Sequence, residues 1–318
     1  MRILITGLTG FVGSYLTEYL KDKKRIEVFG TTFGEPDKYF KSIFPAYKTR
    51  LFKGDLKNKN FVDRIVKKSK PNAVIHLAAL SAPADSWKIA EQILTNNMLS
   101  QLNILDSVKE TDIKTKVLII SSGQVYGVVK PNEIPLTEKS PLRPNSPYSV
   151  SKLTQEFLGY QYFNNFKIPI VILRPLNHIG PRQEGNFAIP SFIKQIVEIE
   201  KGIKPPVIEV GNLNAQRDFM DVRDVCRAYI LALEKCKAGE VYNIASGKVY
   251  KMRSVLDMLL RNTKVKIKVK INKSLFRPMD IPILTADYSK FKRATGWKPR
   301  ISLERTLKET LDYWRKKI

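Results

Sequence analysis

The chain has 318 residues, of which 43% are hydrophobic, so it is long enough to bury a sizeable core and is unlike a disordered polymer. Its 55 Lys and Arg against 30 Asp and Glu give a formal charge of +25, which fits either nucleic-acid binding or a lysine-rich surface around an enzyme for an anionic substrate. The charges are scattered and carry no nucleic-acid-binding motif, so we predict the second and exclude nucleic acid as a partner.

The first half of the chain alternates short apolar runs with amphipathic segments. This alternation predicts an α/β protein with a Rossmann-type, doubly wound parallel sheet. The predicted strands are 2–6, 27–32, 49–53, 73–77, 117–121 and 170–174, and the predicted helices between them are 11–20, 61–68, 96–109 and 148–162.

After Ile179 the alternation breaks down, which predicts a smaller C-terminal α/β lid for substrate binding. We expect helices at 188–201 and 303–317, and a strand at 264–271 whose lysines face outward because lysine alternates with apolar residues there. Residues 1–178, together with 214–245, are predicted to bind the cofactor. Residues 179–213 and 246–318 are predicted to bind the substrate.

The sequence lacks the features of a membrane-spanning, secreted or metal-binding protein. The longest apolar runs are too short to span a bilayer, and the N-terminus enters a strand without a signal-peptide cleavage site. Cys226 and Cys236 lack the spacing of a metal site. We therefore expect a cytoplasmic protein with no membrane partner and no metal.

A glycine triplet follows the first predicted strand and opens the first helix. Gly7, Gly10 and Gly13 meet the needs of a dinucleotide site, which are a tight turn, close approach of backbone to a pyrophosphate, and close helix–strand packing. The spacing resembles that of the short-chain dehydrogenase superfamily. The cofactor residues that we predict from the turns of this sheet are Gly7, Gly10, Phe11, Val12, Gly13, Thr32, Asp55, Leu56, Leu77, Ala78, Ala79, Ser121, Tyr148 and Lys152.

The end of the second strand bears on which nicotinamide cofactor is used. NAD-specific enzymes place an acidic residue there to bind the adenosine ribose, whereas this chain has Thr32. A hydroxyl does not repel a 2′-phosphate, and Lys38 and Lys41 could attract one, although Glu35 and Asp37 are close as well. We predict NADP(H) or NAD(H), with a preference for NADP(H).

The catalytic residues are predicted from two motifs. Tyr148 and Lys152 lie four residues apart on one face of a helix that Ser146 caps and Pro147 begins. The lysine ammonium and a nicotinamide cation would both favour tyrosinate, which brings the tyrosine pKa towards neutrality. Ser122, at the end of the fifth strand, would hydrogen-bond the oxygen at the reacting carbon.

With these motifs, the chain resembles an extended short-chain dehydrogenase of the epimerase/dehydratase family over nearly its full length. Further landmarks are Arg174–Pro181, Arg217–Asp224 and Gly296–Pro299. The resemblance implies that Asn97 supports the lysine, that the substrate is a nucleoside-diphosphate sugar, and that two copies pair through the Asn96 and Tyr148 helices as a homodimer. Tyr126, His76 and His178 are interpreted as structural or as contacts of the site, not as bases.

Several stretches are most similar to GDP-4-keto-6-deoxy-mannose reductases and the related GDP-mannose 4,6-dehydratases. They are Phe187–Pro190, Val210–Asp218 and Arg277–Pro282. Arginines could clamp a diphosphate, and Lys194 could reach the base or be solvated. The predicted substrate-binding residues are Ser122, Gln124, Asn177, Lys194, Arg217, Arg277 and Asp280.

The sequence thus predicts NAD(P)H-dependent reduction of a nucleotide-activated 4-keto-6-deoxy sugar, as in the formation of GDP-rhamnose, with GDP favoured over UDP. A nucleotide-sugar 4-epimerase, a 4,6-dehydratase and a catalytically silent nucleotide-binding protein remain alternatives. The dehydratases of this family carry an adjacent Asp-Glu pair after the catalytic Ser/Thr, whereas this chain has Gly123 and Gln124, which argues against dehydration.

Overall fold

The structure is a computed structural model that describes residues 1–81, 87–111, 114–276 and 279–318. The strands are β1 (Arg2–Thr6), β2 (Glu27–Thr32), β3 (Leu51–Lys53), β4 (Ala73–His76), β5 (Lys116–Ile120), β6 (Ile170–Pro175), β7 (Asn177–Ile179), β8 (Val207–Val210), β9 (Gln216–Asp221), β10 (Val241–Ile244), β11 (Val249–Lys251), β12 (Lys268–Ile271) and β13 (Ile283–Leu284). The α-helices are α1 (Phe11–Leu20), α2 (Lys38–Ile43), α3 (Tyr47–Arg50), α4 (Lys59–Ser69), α5 (Ala90–Lys109), α6 (Pro147–Phe166), α7 (Ala188–Glu200), α8 (Val222–Lys235), α9 (Met252–Leu260), α10 (Ser289–Thr295) and α11 (Leu303–Lys317).

The centre of the molecule is a parallel sheet of seven strands within the described ranges, in the order β10-β6-β5-β4-β1-β2-β3. The strand order reverses between β1 and β4. Ligands of doubly wound sheets bind at the carboxyl ends of the strands where this reversal occurs. The predicted Rossmann-type α/β fold is confirmed.

Both faces of this sheet are buried, which explains the continuous apolar runs of its strands. Ile3 and Ile5 point to the face covered by α1 and α8, and Leu4 points to the face covered by α4, α5 and α6. Side chains alternate between the two faces of a strand, so each strand contributes to two separate cores.

The C-terminal part has a core of its own. It is formed by α7, α9 and α11 with the smaller sheets, in which β9 pairs with β7, β11 and β13, and β8 pairs with β12. Ala215 and Phe219 belong to this core. Among the described residues, no helix is long and apolar enough to cross a membrane.

Two predicted strands begin too early. In place of a strand from residue 49, helix α3 runs to Arg50, and β3 pairs with β2 only over Leu51–Lys53. The predicted strand 264–271 is reduced to β12, because its partner β8 offers only four residues for pairing. The lysines of β12 do face outward, but Ile271 is exposed as well.

Candidate active site

The glycine turn between β1 and α1 has no room for side chains. Gly7 has φ 68°, and a Cβ on it would lie 3.1 Å from the backbone of Ala78. A Cβ on Gly13 would lie 2.4 Å from the Leu8 carbonyl oxygen. Both positions therefore require glycine, and they let strand, turn and helix approach closely.

The N-terminus of α1 suits an anion. Gly10 is its N-cap, and within the described residues neither a capping side chain nor an acidic residue occupies the first turn. The first backbone N–H groups of this helix are therefore available to a pyrophosphate, and the positive end of the helix dipole favours it. These residues fit a dinucleotide.

A cavity of about 1610 Å³ extends from this turn to the C-terminal part of the chain. All of the residues predicted to bind the cofactor line it. They are Gly7, Gly10, Phe11, Val12, Gly13, Thr32, Asp55, Leu56, Leu77, Ala78, Ala79, Ser121, Tyr148 and Lys152.

The end of β2 is held by hydroxyl groups. The Thr32 hydroxyl donates to the Gly34 carbonyl oxygen at 2.8 Å and lies 2.8 Å from the Thr9 hydroxyl. Glu35 forms an ion pair with Lys53 at 2.8 Å, which lowers the pKa of its carboxyl. The described wall therefore presents hydroxyls at Thr32, where NAD-specific enzymes present a carboxylate. Asp37 lines the same cavity, whereas Lys38 and Lys41, which we expected to attract a 2′-phosphate, are not part of its described lining.

The catalytic helix begins as predicted. Ser146 caps α6 and accepts a hydrogen bond from the Ser149 N–H, and Pro147 occupies the first turn. Tyr148 and Lys152 then lie on the buried face of α6 and line the cavity together with Ser122. The structure thus brings the three predicted catalytic side chains into one cavity.

Burial sets the proton affinities of these groups. Loss of solvation raises the pKa of Tyr148 to about 12, and a hydrogen bond with the Ser122 side chain opposes this. Loss of solvation lowers the pKa of Lys152 to about 8, and the charge of Glu156 opposes it. Burial therefore keeps Tyr148 protonated at neutral pH in the free protein, and the lowering of its pKa that we predicted from the Lys152 ammonium is not found there.

No hydrogen bond of the described residues joins Asn97 to Lys152 directly. The Asn97 side chain bonds the backbone of Leu80 and the Ser151 hydroxyl, and the Asn97 carbonyl oxygen accepts a hydrogen bond from Gln155. Gln155 in turn accepts one from the Lys152 ammonium at 3.0 Å. Asn97 is thus linked to the lysine through Gln155, a residue that sequence reasoning missed.

The predicted substrate residues divide into three groups. Ser122, Gln124, Asn177, Arg217 and Asp280 line the cavity. Lys194 lies outside its described lining; its ammonium is 3.8 Å from Glu198 one helical turn away. Arg277 lies outside the described residues.

Arg217 and Asp280 form an ion pair in the substrate region. The guanidinium donates to the Asp280 carboxylate at 2.7 Å and to the Ile281 carbonyl oxygen at 2.6 Å. Asn212 donates to the other Asp280 oxygen at 2.8 Å. Asn177 donates to the Asp218 carbonyl oxygen at 3.0 Å. Among the described residues, this region therefore presents the ion-paired Arg217 guanidinium and the side-chain amides of Asn177 and Asn212 to a ligand.

Three further residues in or near the cavity wall were predicted to be non-catalytic or were not predicted at all. His178 lines the cavity, stacks on Phe11, and donates from Nδ1 to the Leu176 carbonyl oxygen; burial lowers its pKa. Tyr229 also lines the cavity, and no sequence signal distinguishes it from the other residues on the buried face of α8. Tyr126 is fully buried, with its hydroxyl bonded to Asn243 and Arg174, which fits the structural interpretation.

A Rossmann sheet, a glycine turn at a helix N-terminus and a buried Ser-Tyr-Lys set together define an extended short-chain dehydrogenase/reductase. Comparison with known proteins agrees. The sequence profile of a family described as GDP-mannose 4,6 dehydratase matches residues 4–310. The chain belongs to this family, so the predicted family and the predicted NAD(P)-dependent enzyme class are confirmed.

Individual relatives span the whole chain. The GDP-6-deoxy-D-mannose reductase of Pseudomonas aeruginosa is 31% identical over 100% of this chain and 98% of its own length. The structure of RMD from Pseudomonas aeruginosa complexed with NADPH superposes with a TM-score of 0.87 at 30% identity, covering 100% of this chain and 99% of that one. A UDP-glucuronic acid 4-epimerase from Bacillus cereus, in complex with UDP-glucuronic acid and NAD, gives a TM-score of 0.88 at 30% identity and covers both chains fully.

Proposed function

We propose that this protein reduces a GDP-activated 4-keto-6-deoxy sugar, GDP-4-keto-6-deoxy-mannose, to GDP-rhamnose with a nicotinamide cofactor. The observation that carries the proposal is the buried set of Ser122, Tyr148 and Lys152 beside a cavity wall without a second acid–base pair at positions 123 and 124. Similarity to a GDP-6-deoxy-D-mannose reductase and to an NADPH complex supports the choice of substrate and cofactor.

The catalytic residues would act at one carbon. The bound cofactor supplies the hydride. Ser122 donates a hydrogen bond to the ketone oxygen, and Tyr148 transfers its proton to that oxygen as the alcohol forms. Lys152 stabilises the resulting tyrosinate and binds ribose hydroxyls.

Dehydration would need more than this set. Removing water across C5 and C6 requires a further acid and base, for which relatives carry an Asp-Glu pair after the serine or threonine. Gly123 has no side chain, and a Cβ there would lie 2.9 Å from the end of the Leu176 side chain. Gln124 lines the cavity, but an amide cannot take up a proton at neutral pH.

Cofactor and nucleotide preference follow from the two ends of the cavity. Thr32 stands where an acidic residue would repel a 2′-phosphate, which favours NADP(H) and permits NAD(H). Arg217 and Asp280 would bind the diphosphate and a ribose hydroxyl, and we assign Arg277 to the same region on resemblance alone. Residues 1–178 and 214–245 would hold the cofactor, and residues 179–213 and 246–318 the GDP-sugar.

The assembly we propose is a cytoplasmic homodimer. Helices α5 and α6 expose large apolar side chains, and such a surface favours association between proteins. The exposed residues are Leu99, Val150, Phe157, Tyr160 and Phe166.

A second candidate is a nucleotide-sugar 4-epimerase. The structural similarity to a UDP-glucuronic acid 4-epimerase supports it. Epimerisation needs only hydride and proton exchange at one carbon, which the same three residues can perform. A 4-epimerase would retain its cofactor, whereas a reductase consumes one equivalent of NAD(P)H for each product.

The test is product analysis by mass spectrometry with a panel of GDP- and UDP-sugars, using NADPH and NADH. We expect the GDP-4-keto-6-deoxy sugar to gain two hydrogens with stoichiometric loss of NADPH. Thermal shift with GDP and UDP in the presence of cofactor should show greater stabilisation by GDP. A clear UDP preference with a product of unchanged mass would establish the epimerase instead.

A further inference from the structure

The ammonium of Lys152 has three N–H donors, and the described structure accounts for two of them. One donates to the Ile120 carbonyl oxygen at 2.9 Å, and another to the Gln155 side-chain oxygen at 3.0 Å. Lys152 is 4% exposed and lines the cavity. Two fixed bonds therefore leave one N–H for a ligand in that cavity.

Gln155 is itself fixed on all sides. Its side-chain nitrogen donates to the Asn97 carbonyl oxygen at 2.8 Å, and its backbone carbonyl oxygen accepts from the Gln101 side chain at 2.6 Å. The Asn97 carbonyl can only accept a hydrogen bond and the Lys152 ammonium can only donate one. These two groups therefore determine the orientation of the Gln155 side-chain amide. Gln155 is fully buried.

A second layer extends this network to the cofactor side. The Gln155 amide nitrogen lies 3.4 Å from Nε2 of His76, and Nδ1 of His76 lies 2.9 Å from the Thr6 hydroxyl. That hydroxyl oxygen accepts the N–H of Ala78, which is part of the cavity wall. The lysine is thereby connected to the ends of β1 and β4.

The charges around Lys152 are few. On its own helix it faces Tyr148 and Glu156, and Glu156 is engaged in a buried ion pair with Arg174 of β6 at 2.7 Å. From β4 it faces His76, whose pKa falls to about 3 because of burial, so that this imidazole is neutral. The Gln155 oxygen is thus a direct neutral acceptor for an ammonium that burial disfavours.

We propose that Gln155 is a positioning residue that keeps Lys152 protonated and directs its remaining N–H into the cavity, towards ribose hydroxyls of the cofactor. The inference rests on the proposed function, because it assigns this N–H to a nicotinamide cofactor. It predicts that the pH range of cofactor binding depends on residue 155.

The test uses Gln155→Met, which keeps the length of the side chain and removes both polar groups. NADPH affinity is measured by fluorescence between about pH 6 and pH 10, and turnover is measured over the same range. Loss of the acceptor disfavours the ammonium, so the pH above which binding and turnover fall should move down by about one unit. Near pH 6 both should approach the wild-type values, which a general structural defect would not allow.

Gln101→Met is the matched control, since it removes a buried glutamine beside the same backbone without touching the ammonium. We expect no shift of its pH profile. Gln155→Glu keeps an oxygen beside Lys152 and adds a negative charge, so its profile should move to higher pH. If binding and turnover of Gln155→Met and Gln155→Glu both fell at the same pH as in the wild type, the inference about Gln155 would be overturned and the proposed function would stand. Absence of NAD(P)H binding by the wild-type protein would overturn the proposed function and this inference together.

Discussion

The two ends of the cavity differ in how their residues are held. At the catalytic end, Ser122, Tyr148 and Lys152 are 9%, 8% and 4% exposed, and they project from the end of β5 and the first turns of α6. At the substrate end, Asp280 comes from a loop and Arg217 from β9, and their side chains are 23% and 11% exposed.

This difference separates chemistry from recognition. A proton transfer needs groups fixed within hydrogen-bonding distance, which buried regular elements provide. Nucleotide recognition depends on loops that vary between relatives of one fold. Substitutions at the catalytic end should therefore affect turnover, and those at the far end should affect substrate affinity.

The largest effect is expected for Tyr148→Phe. Removing the proton donor should lower turnover about 10²–10⁴-fold while cofactor affinity is kept. Tyr162→Phe is the control, because it removes a hydroxyl that is bonded to Asp106 on the same face of the sheet, away from the cavity. Steady-state kinetics and NADPH fluorescence titration measure the two quantities. Wild-type turnover in Tyr148→Phe would remove this residue from the mechanism.

A smaller effect, on affinity instead of turnover, is expected for Arg217→Leu. Loss of a guanidinium from a charge-assisted contact with the diphosphate should raise KM for the nucleotide sugar about 10–100-fold. Arg253→Leu removes an arginine whose partner is the exposed Asp257, and it should leave KM unchanged. If Arg217→Leu lowered kcat and kept KM, the assignment of the two ends would be wrong.

Burial at the catalytic end also predicts a pH dependence of stability. The pKa of His76 falls from 6.5 to about 3 in the folded protein, because burial disfavours the charged imidazole. The contribution of the neutral imidazole to the free energy of unfolding is therefore fully present above pH 6.5 and is lost as pH falls towards 3. The loss between pH 7 and pH 5 should be about 2 kcal/mol. Urea unfolding of wild type and His76→Asn at both pH values measures it. The variant should lose less stability on acidification than the wild type, and equal losses would contradict this account.

The smallest effect is expected at the adenosine end, for Thr32→Asp. A carboxylate beside the 2′-phosphate should weaken NADPH binding about tenfold, or about 1.4 kcal/mol, and affect NADH less. Binding of NADH to the same variant serves as the internal control. Tighter NADH than NADPH binding in the wild type would reverse our cofactor preference.

Local patterns predicted the catalytic end well. The positions of Ser146 and Pro147 follow from helix capping, and those of Tyr148 and Lys152 from their four-residue spacing. The structure shows all four residues in the predicted places. Gln155 was not predicted, because its bonds to Asn97 and His76 join segments 58 and 79 residues apart.

Positions outside buried regular elements were harder to predict. Lys194 lies on α7 as expected, but its ammonium lies 3.8 Å from Glu198 on the same helix and does not contribute to the described lining of the cavity. The early start predicted for β3 has a similar cause, since its length is set by pairing with β2 and not by its own residues. Strand ends and exposed side chains depend on partners that a linear pattern does not contain.

The most direct test of the central claim follows the hydride. The protein is incubated with GDP-4-keto-6-deoxy-mannose and NADPH carrying deuterium at the transferable position, and in parallel with GDP-mannose and catalytic NADP⁺. We predict a GDP-6-deoxy sugar with one deuterium at the former carbonyl carbon in the first reaction, and no loss of water in the second. Efficient formation of a dehydrated product from GDP-mannose would contradict the account, because residues other than Ser122, Tyr148 and Lys152 would then have to supply a second acid and base.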